Sequence, residues 1–290
     1  MTEDRVNSKP IGSVFVVAKG DKEQACALGR EVCTFLEGLG VATVMCHHVA
    51  GAGTCLADGA RQSFDLALVL GGDGTFISAA RQLAEPGIPL MGVNLGQVGF
   101  LTELSPTDWR ERLPAVIAGG YDITPRLVLD YQVLRDGKLL HQGLAVNDIV
   151  ISRGVLARLI RLGVSYDGRA VISMRSDGII VSTPIGSTAY GFSAGGPLLA
   201  PGVPAFSLVP ICPFLNGLRP MVLPADKRLE IEVQGEPGDV SITEDGRAIV
   251  NLQSGDVVAV ERYEHDLLLA ETGQVSFFDK LKTKEFLLER

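Results

Sequence analysis

The first part of the chain alternates short apolar runs with segments of helical spacing, and this alternation constrains the fold more than any other feature. Four runs have the length and character of buried strands: Val14–Ala18, Val41–Cys46, Leu66–Leu70 and Pro89–Asn94. Helix-like patterns at 21–39 and 76–83 lie between them. Such alternation predicts a parallel sheet with helices on its faces, an α/β domain of Rossmann-like type.

From about residue 124 the pattern changes to period two. Alternating runs flank Asp136-Gly137 and Asp167-Gly168, and Asp-Gly between such runs predicts a hairpin. We therefore expect an all-β, sandwich-like C-terminal domain. The last segment, FFDKLKTKEFLLER, is helix-like, and we expect it to return to the first domain. The predicted divisions are 1–123, 124–275 and 276–290.

Composition narrows the class of protein. The 290 residues are 46% hydrophobic and 21% charged, a globular balance, and the net charge of −8 argues against a general nucleic-acid binder. No apolar run is long enough to span a bilayer, and MTEDRVNSKP has no signal core, so a cytoplasmic protein without a membrane partner is expected. The five cysteines form no C-x-x-C pair, so neither a zinc site nor a disulfide framework is expected.

The stretch DLALVLGGDGTFISAAR places a glycine-rich turn between a predicted strand and a predicted helix. Such turns bind phosphate through bare backbone N–H groups, yet Asp73 lies in the middle of this one. The dinucleotide fingerprint G-x-G-x-x-G is missing after the first strand, and the P-loop pattern is absent from the chain. GGDGT is therefore a different kind of glycine loop.

Two interpretations of Asp73 are open. It could simply cap the helix that follows. Three glycines around it weaken that interpretation, because each costs conformational entropy and suggests close backbone approach. In a functional loop, Asp73 either holds Mg²⁺ bridging the phosphates or accepts a proton from an attacking hydroxyl. Both roles predict phosphoryl transfer to an alcohol.

A second segment, RSDGIIVSTPIGSTAYGFSAGGPLLAP, is dense in small and hydroxyl residues. Its glycines would let a flat ligand lie against backbone, and hydroxyls are offered by Ser182, Thr183, Ser187, Thr188, Tyr190 and Ser193. In AVNDIVISRG, Asn147 and Asp148 end an apolar stretch, but Asn-Asp is a turn dipeptide at least as often as a site.

These motifs together resemble those of NAD kinases, which phosphorylate the 2′-hydroxyl of the adenosine ribose of NAD. The resemblance covers nearly the whole chain and includes GGDGT, GVNLGQVGFLTEL, the Asn-Asp pair, DGIIVSTPIGSTAY and FFDKLKTK. GGDGT alone is shared with diacylglycerol and sphingosine kinases and, more loosely, with phosphofructokinases. The segment DGIIVSTPIGSTAY is much more specific.

The resemblance implies a site between an α/β domain and a β-rich domain that binds NAD and mediates oligomerisation. Asp73 would be the catalytic base, and phosphate would lie against Gly72, Gly74 and Thr75. The residues implied to bind NAD are Asp73, Gly74, Phe100, Asn147, Asp148, Arg158, Arg175, Asp177, Thr188, Ala189, Tyr190, Ser193 and Arg247. ATP or another donor such as polyphosphate would supply the phosphoryl group, with Mg²⁺ arriving on the donor rather than bound permanently.

The chain departs from the family pattern at several positions. Arg158 stands where some relatives have His, Phe214 replaces a usual His, and Arg247 replaces the Gln of a usual DGQ. The resemblance also implies a homodimer or homotetramer. Two alternatives remain: a lipid kinase of the diacylglycerol kinase type, and a non-catalytic nucleotide sensor on the same fold.

Overall fold

The computed structural model describes residues 6–7, 9–49, 63–96, 99–154, 158–214, 218–235 and 238–286. The chain divides into two compact units. One comprises Met1–Pro125 with His265–Arg290, and the other comprises Arg126–Glu264. Cys55 and residues 287–290 of the C-terminal segment lie outside the described residues.

Among the described residues, the first unit contains a seven-stranded sheet in the order β1-β6-β19-β5-β4-β2-β3. Its strands are β1 Val6–Asn7, β2 Ser13–Lys19, β3 Ala42–His48, β4 Leu66–Gly71, β5 Leu90–Asn94, β6 Asp122–Arg126 and β19 Leu267–Glu271. The helices are α1 Glu23–Gly38, α2 Asp73–Leu83, α3 Trp109–Ile117 and α5 Phe277–Thr283. The predicted α/β class is confirmed.

The order of the central strands locates a binding edge. Strand β2 pairs in parallel with β3 on one side and with β4 on the other, and β4 continues in parallel to β5. The chain therefore changes direction across the sheet between β2 and β4. In open α/β sheets, ligands bind at the carboxyl ends of strands beside such a switch point. Strand β4 ends there, at Gly71.

The second unit is built from antiparallel strands in two sheets. Within its described residues the sheet orders are β11-β10-β15-β18-β7-β8 and β14-β13-β12-β9-β16-β17. The strands are β7 Leu129–Arg135, β8 Lys138–Ala145, β9 Asp148–Arg153, β10 Ile160–Tyr166, β11 Arg169–Ser176, β12 Gly178–Ser182, β13 Ala205–Ile211, β14 Met221–Pro224, β15 Leu229–Gln234, β16 Val240–Glu244, β17 Arg247–Leu252 and β18 Val257–Arg262. A single apolar cluster draws side chains from both sheets, as expected of a sandwich.

The Asp-Gly hairpins are confirmed. Asp136 and Asp167 have φ angles of 50° and 52°, and the glycines that follow have 72° and 70°. Positive φ at both central residues defines the type I′ turn, which suits the twist of paired strands. The same geometry recurs at Asp245-Gly246, where φ is 47° and 77°, between β16 and β17. The sequence reasoning missed this third hairpin.

The C-terminal part of the chain rejoins the first sheet earlier than residue 276. Strand β19 pairs in parallel with β5, so the first unit resumes at His265. Helix α5 follows, with a capping box in which Ser276 and Asp279 satisfy each other's backbone N–H groups. The functional division between the domains stays a prediction.

Two smaller features complete the fold. Cys46 is disulfide-bonded, which the cysteine spacing did not suggest. Across the described part of the chain, no helix combines the length and the apolar character that crossing a membrane requires.

A buried tyrosine joins the two sheets of the second unit and allows a stability test. The fully buried Tyr131 donates its hydroxyl to Glu244 Oε2 at 2.9 Å. We expect Tyr131→Phe to lower the free energy of unfolding by about 1–3 kcal/mol, because a buried carboxylate loses a donor. Tyr166→Phe is the matched control, since that hydroxyl donates to the Pro224 carbonyl near the surface. Chemical denaturation measures both, and equal losses would contradict the expectation.

Candidate active site

The GGDGT loop joins the buried strand β4 to helix α2. A Cβ at Gly71 would lie 2.7 Å from the side chain of Thr75, so packing within the loop requires glycine there. Gly72 precedes the helix with extended backbone, and Gly74 lies in its first turn. A Cβ at Gly72 or Gly74 would meet no atom within 4 Å. The fold therefore gives no steric reason for these two exposed glycines.

Asp73 is the first residue of α2, so the predicted helix begins earlier than residue 76. Its Oδ2 accepts a hydrogen bond from the Phe100 N–H at 3.2 Å. Its Oδ1 is buried and has no hydrogen-bond partner within the described residues. Gly99 lies so close that a Cβ there would be 2.0 Å from Oδ1. One carboxylate oxygen is thus held in place, and the other is left unsatisfied.

An orphaned buried carboxylate oxygen is uncommon and calls for a functional explanation. An ionised carboxylate is an acceptor only, so this oxygen can take a hydrogen bond or a proton from a hydroxyl that approaches it. It lies at a helix N-terminus and at the switch point of the sheet, where anionic ligands bind. The arrangement suits transfer of a phosphoryl group to an alcohol, with Asp73 beside the attacking oxygen.

The Asp73 carboxylate is the candidate metal ligand at the glycine loop. In the described ranges, no group of three or more His, Cys, Asp or Glu side chains is arranged to hold a metal. Mg²⁺ characteristically binds through one or two carboxylates together with substrate phosphates. The orphaned Oδ1 of Asp73 fits that pattern.

In the second unit, Asn147 and Asp148 lie where β9 begins, and Asp245 holds their backbone. The Asp245 carboxylate accepts hydrogen bonds from the N–H groups of Val146, Asn147 and Asp148 at 3.1, 2.7 and 3.2 Å. The Asp245 N–H donates in return to the Asp148 carbonyl at 2.9 Å. The turn before β9 is therefore held at several points by the β16–β17 hairpin.

Burial and a neighbouring charge raise the pKa of Asp148. Its side chain is only 4% exposed. Desolvation on burial, and secondarily the negative charge of Asp245, raise its pKa from 3.8 to about 7. Near neutral pH the carboxyl is therefore partly protonated, and in that form it can donate a hydrogen bond.

The hydroxyl-rich segment is largely a folded support rather than a row of free hydroxyls. Thr183 Oγ1 donates to the Val146 carbonyl at 2.6 Å and accepts from the Gly186 N–H. Ser187 Oγ donates to the Pro184 carbonyl. Ser182, Thr183 and Ser187 are all buried, so the expectation that they offer hydroxyls to a ligand is wrong for Thr183 and Ser187, whose hydroxyls already bond within the protein.

Gly186 packs against the Asn147 carbonyl, where a Cβ would lie 2.0 Å from the oxygen. This close approach brings the backbone that leads into Thr188, Ala189 and Tyr190 next to the Asn147-Asp148 turn. Thr188 donates its hydroxyl to the Ile185 carbonyl, and Ala189 precedes the short helix α4, Tyr190–Ser193. Tyr190 is 48% exposed and Ser193 is also exposed, so both remain accessible to a ligand.

Other predicted binding residues contact partners that the sequence did not indicate. Asp177 accepts from Arg153 Nε at 2.5 Å in an ion pair. The exposed Arg175 guanidinium lies 5.7 Å from the centre of the Phe214 ring, a cation–π contact. Phe214, one of the departures from the family pattern, is thus paired with a predicted site residue.

Arg247 and Arg158 differ in their surroundings. Arg247 forms an ion pair with the buried Glu244 at 3.1 Å. Arg158 is exposed just before β10.

Sequence reasoning missed three supporting residues. Asp245 was signalled by its Asp-Gly dipeptide, which predicts a turn. Gly99 lies in the quoted GVNLGQVGFLTEL motif, but its contact with Asp73 is long-range. Arg153 had no sequence signal.

The fold and this site together define a kinase that acts on a hydroxyl acceptor. Residues 14–121 match the family of the ATP-NAD kinase N-terminal domain, and residues 146–272 match the family of the ATP-NAD kinase C-terminal domain. An NAD kinase of Nitratidesulfovibrio vulgaris (Miyazaki F) is 42% identical over 278 residues, covering 96% of this chain and 98% of the relative. An NAD kinase of Symbiobacterium thermophilum is 40% identical over 93% of this chain and 97% of the relative. The chain belongs to the NAD kinase family.

Solved structures share the fold of this chain. A yeast NADH kinase complexed with NADH shares the fold, with a TM-score of 0.86 at 22% identity, over 97% of this chain and 89% of that one. An NAD kinase from Archaeoglobus fulgidus in complex with ATP aligns with a TM-score of 0.75 at 25% identity, over 96% of this chain and 100% of that one. Membership of the NAD kinase family, shown by the domain matches and the relatives, carries NAD phosphorylation as the activity, and nothing in these comparisons supports the lipid-kinase alternative.

The raised pKa of Asp148 predicts a pH-dependent stability. Between pH 3.8 and about 7 the folded protein retains a proton that the unfolded chain has released, so stability falls as the pH rises through this range. Asparagine does not titrate. As the pH rises from 5 to 8, the free energy of unfolding of the wild type should therefore fall by about 2 kcal/mol more than that of Asp148→Asn. Denaturant titrations at both values measure this gain, with Asp136→Asn as a surface control. Parallel pH dependence of Asp148→Asn and wild type would contradict the assigned cause.

Proposed function

We propose that Asp73 is the general base that takes the proton from the 2′-hydroxyl of the adenosine ribose of NAD as that oxygen attacks the γ-phosphorus of ATP. The O–H bond breaks toward Asp73, the new O–P bond forms, and ADP leaves. The observation that carries the proposal is the buried Oδ1, which has no hydrogen-bond partner among the described residues, on a carboxylate whose Oδ2 is held by the Phe100 N–H. Catalysis of this kind depends mainly on positioning and charge stabilisation, with a base adding about 10²- to 10⁴-fold.

The donor phosphates lie against Gly72, Gly74 and Thr75 in this proposal. Both glycines are exposed, and neither has a packing neighbour that excludes a side chain. Their backbone N–H groups at the start of α2 favour anions. Mg²⁺ bound to the donor phosphates would supply charge neutralisation beside Gly72, Gly74 and Thr75, and the free oxygen of Asp73 is left for the proton.

The second unit supplies most of the NAD contacts in the proposal, and Phe100 of the first unit is a further one. The Asn147-Asp148 turn is held rigidly by Asp245, and Tyr190 presents an exposed ring suited to stacking on a base. The remaining proposed contacts are Phe100, Arg158, Arg175, Asp177, Thr188, Ala189, Ser193 and Arg247. We further propose a cytoplasmic homodimer or homotetramer. Leu139 and Val171, exposed on the two edge strands of one sheet, support self-association.

Asp73→Asn tests the base. The amide keeps the shape of the side chain but cannot accept the proton, so kcat should fall by about 10²- to 10⁴-fold while the Kd for NAD stays nearly unchanged. Asp136→Asn removes the same charge at the exposed hairpin between β7 and β8, where asparagine also tolerates positive φ, and should keep full activity. NADP formation from ATP, Mg²⁺ and NAD is the assay. Near-wild-type turnover by Asp73→Asn would rule out the base role, and no turnover by the wild type would favour the non-catalytic sensor.

Gly74→Ala separates phosphate binding from folding. Alanine in the first turn of α2 meets no atom within 4 Å and favours the helix, so stability should hold or rise by up to about 1 kcal/mol. The KM for ATP should nevertheless rise several-fold, because the methyl group occupies space proposed for phosphate. Gly38→Ala, at the equally open end of α1, is the matched control and should leave KM unchanged. An unaltered KM for ATP in Gly74→Ala would place the phosphates elsewhere.

A further inference from the structure

The backbone that holds Asp73 is itself held by the C-terminal helix. Phe100 donates its N–H to Asp73 Oδ2, and its carbonyl accepts from Lys280 Nζ at 3.1 Å. Its ring meets the Phe286 ring edge-on, with the centroids 5.2 Å apart. One residue is therefore fixed at its N–H by Asp73 and at its carbonyl and ring by the end of the chain.

Lys280 is an unusual residue to find in this position. It is 8% exposed, although lysine is rarely buried unless it is paired. Its ammonium also donates to Glu103 Oε1 at 2.9 Å, so it bridges two points of the segment that covers Asp73. A buried ammonium costs solvation energy, and two short hydrogen bonds offset part of that cost.

The partner of Lys280 is fixed in turn. Glu103 Oε2 accepts from the N–H and the hydroxyl of Thr272 at 3.3 and 3.1 Å. Arg112 donates to the Glu103 carbonyl at 2.6 Å and to the Thr272 hydroxyl at 2.7 Å. The network connects the segment after β5 with α3 and with the residues after β19. It leaves Lys280 as the member that donates directly to Phe100.

We propose that Lys280 is a positioning residue for catalysis, which sets the place of Asp73 through the Phe100 backbone. This inference rests on the proposed role of Asp73 as the base. The alternative role for Lys280 is purely structural, namely to neutralise the buried Glu103. Because a shift of about 1 Å in a reacting group can cost on the order of 10²-fold in rate, the two roles differ measurably.

The first experiment compares Lys280→Met with Lys282→Met. Methionine keeps the length and packing of the lysine stem but donates no hydrogen bond. Lys280→Met should lower kcat for NADP formation about tenfold, with the KM values for NAD and ATP changed less than twofold. Lys282 is exposed on the same helix, so Lys282→Met controls for loss of charge. Lys280→Arg, which keeps a cationic donor, should recover part of the lost activity.

A second variant keeps the test valid if Lys280→Met folds poorly with Glu103 unpaired. Glu103→Gln removes the buried negative charge but keeps an oxygen for Thr272. We expect Lys280→Met combined with Glu103→Gln to remain about tenfold slower than Glu103→Gln alone. If the double variant matches Glu103→Gln, Lys280 serves only to neutralise Glu103 and the proposal is overturned.

A double-mutant cycle with Asp73 tests whether Lys280 acts on the rate through Asp73. If Lys280 acts through Asp73, Lys280→Met should add almost no further loss of kcat in the Asp73→Asn background. An undiminished tenfold loss there would show that the effect bypasses Asp73 and would overturn the proposal. The rates of the wild type and of Asp73→Asn are measured first. Failure of the base role of Asp73 can then be told apart from failure of the positioning role of Lys280. An active wild type that depends on Asp73 but tolerates Lys280→Met would refute the positioning role alone.

Discussion

The candidate site in the first unit depends on the close approach between the Asp73 carboxylate and the backbone of Gly99 and Phe100. A side chain at Gly99 would displace the carboxylate, and the Phe100 N–H satisfies one of its oxygens. In the described part of the chain the other oxygen has no hydrogen-bond partner, a state that costs stability in a protein selected for folding alone. Such local conflicts characterise functional sites, because the groups that receive substrate cannot be satisfied by the protein itself.

The second unit uses a carboxylate for the opposite purpose. Asp245 is surrounded by the N–H groups of three successive residues and so fixes the turn that carries Asn147 and Asp148. The same negative charge adds to the burial of Asp148 and helps to raise its pKa. One hairpin residue therefore fixes the geometry of the predicted NAD-contacting pair and adds to the effect of burial on the pKa of Asp148.

The sequence predicted features governed by local chemistry. Asp136-Gly137 and Asp167-Gly168 specify type I′ turns without distant contacts, and the apolar runs specify the strands. The sequence pattern predicts that α2 starts at residue 76 rather than at Asp73, because Gly72 and Gly74 are poor helix formers. The hydrogen bond from Lys280 to Phe100 joins residues far apart in the sequence, and no residue pattern predicts it. Buried hydroxyls such as that of Thr183 look the same in sequence as exposed ones, since only the fold decides which of them meet a carbonyl.

Two of the three departures from the family pattern, Phe214 and Arg247, have partners within the second unit. Arg247 stands beside Glu244, a buried carboxylate that also accepts from Tyr131, so its positive charge balances a charge already present in the fold. Phe214 offers its ring to Arg175, a contact that a neutral aromatic residue makes more readily than a charged histidine. Neither substitution therefore requires a ligand to account for it. The predicted contact of Arg247 with NAD would compete with its ion pair to Glu244, so binding there would have to offset the loss of a partner for a buried charge.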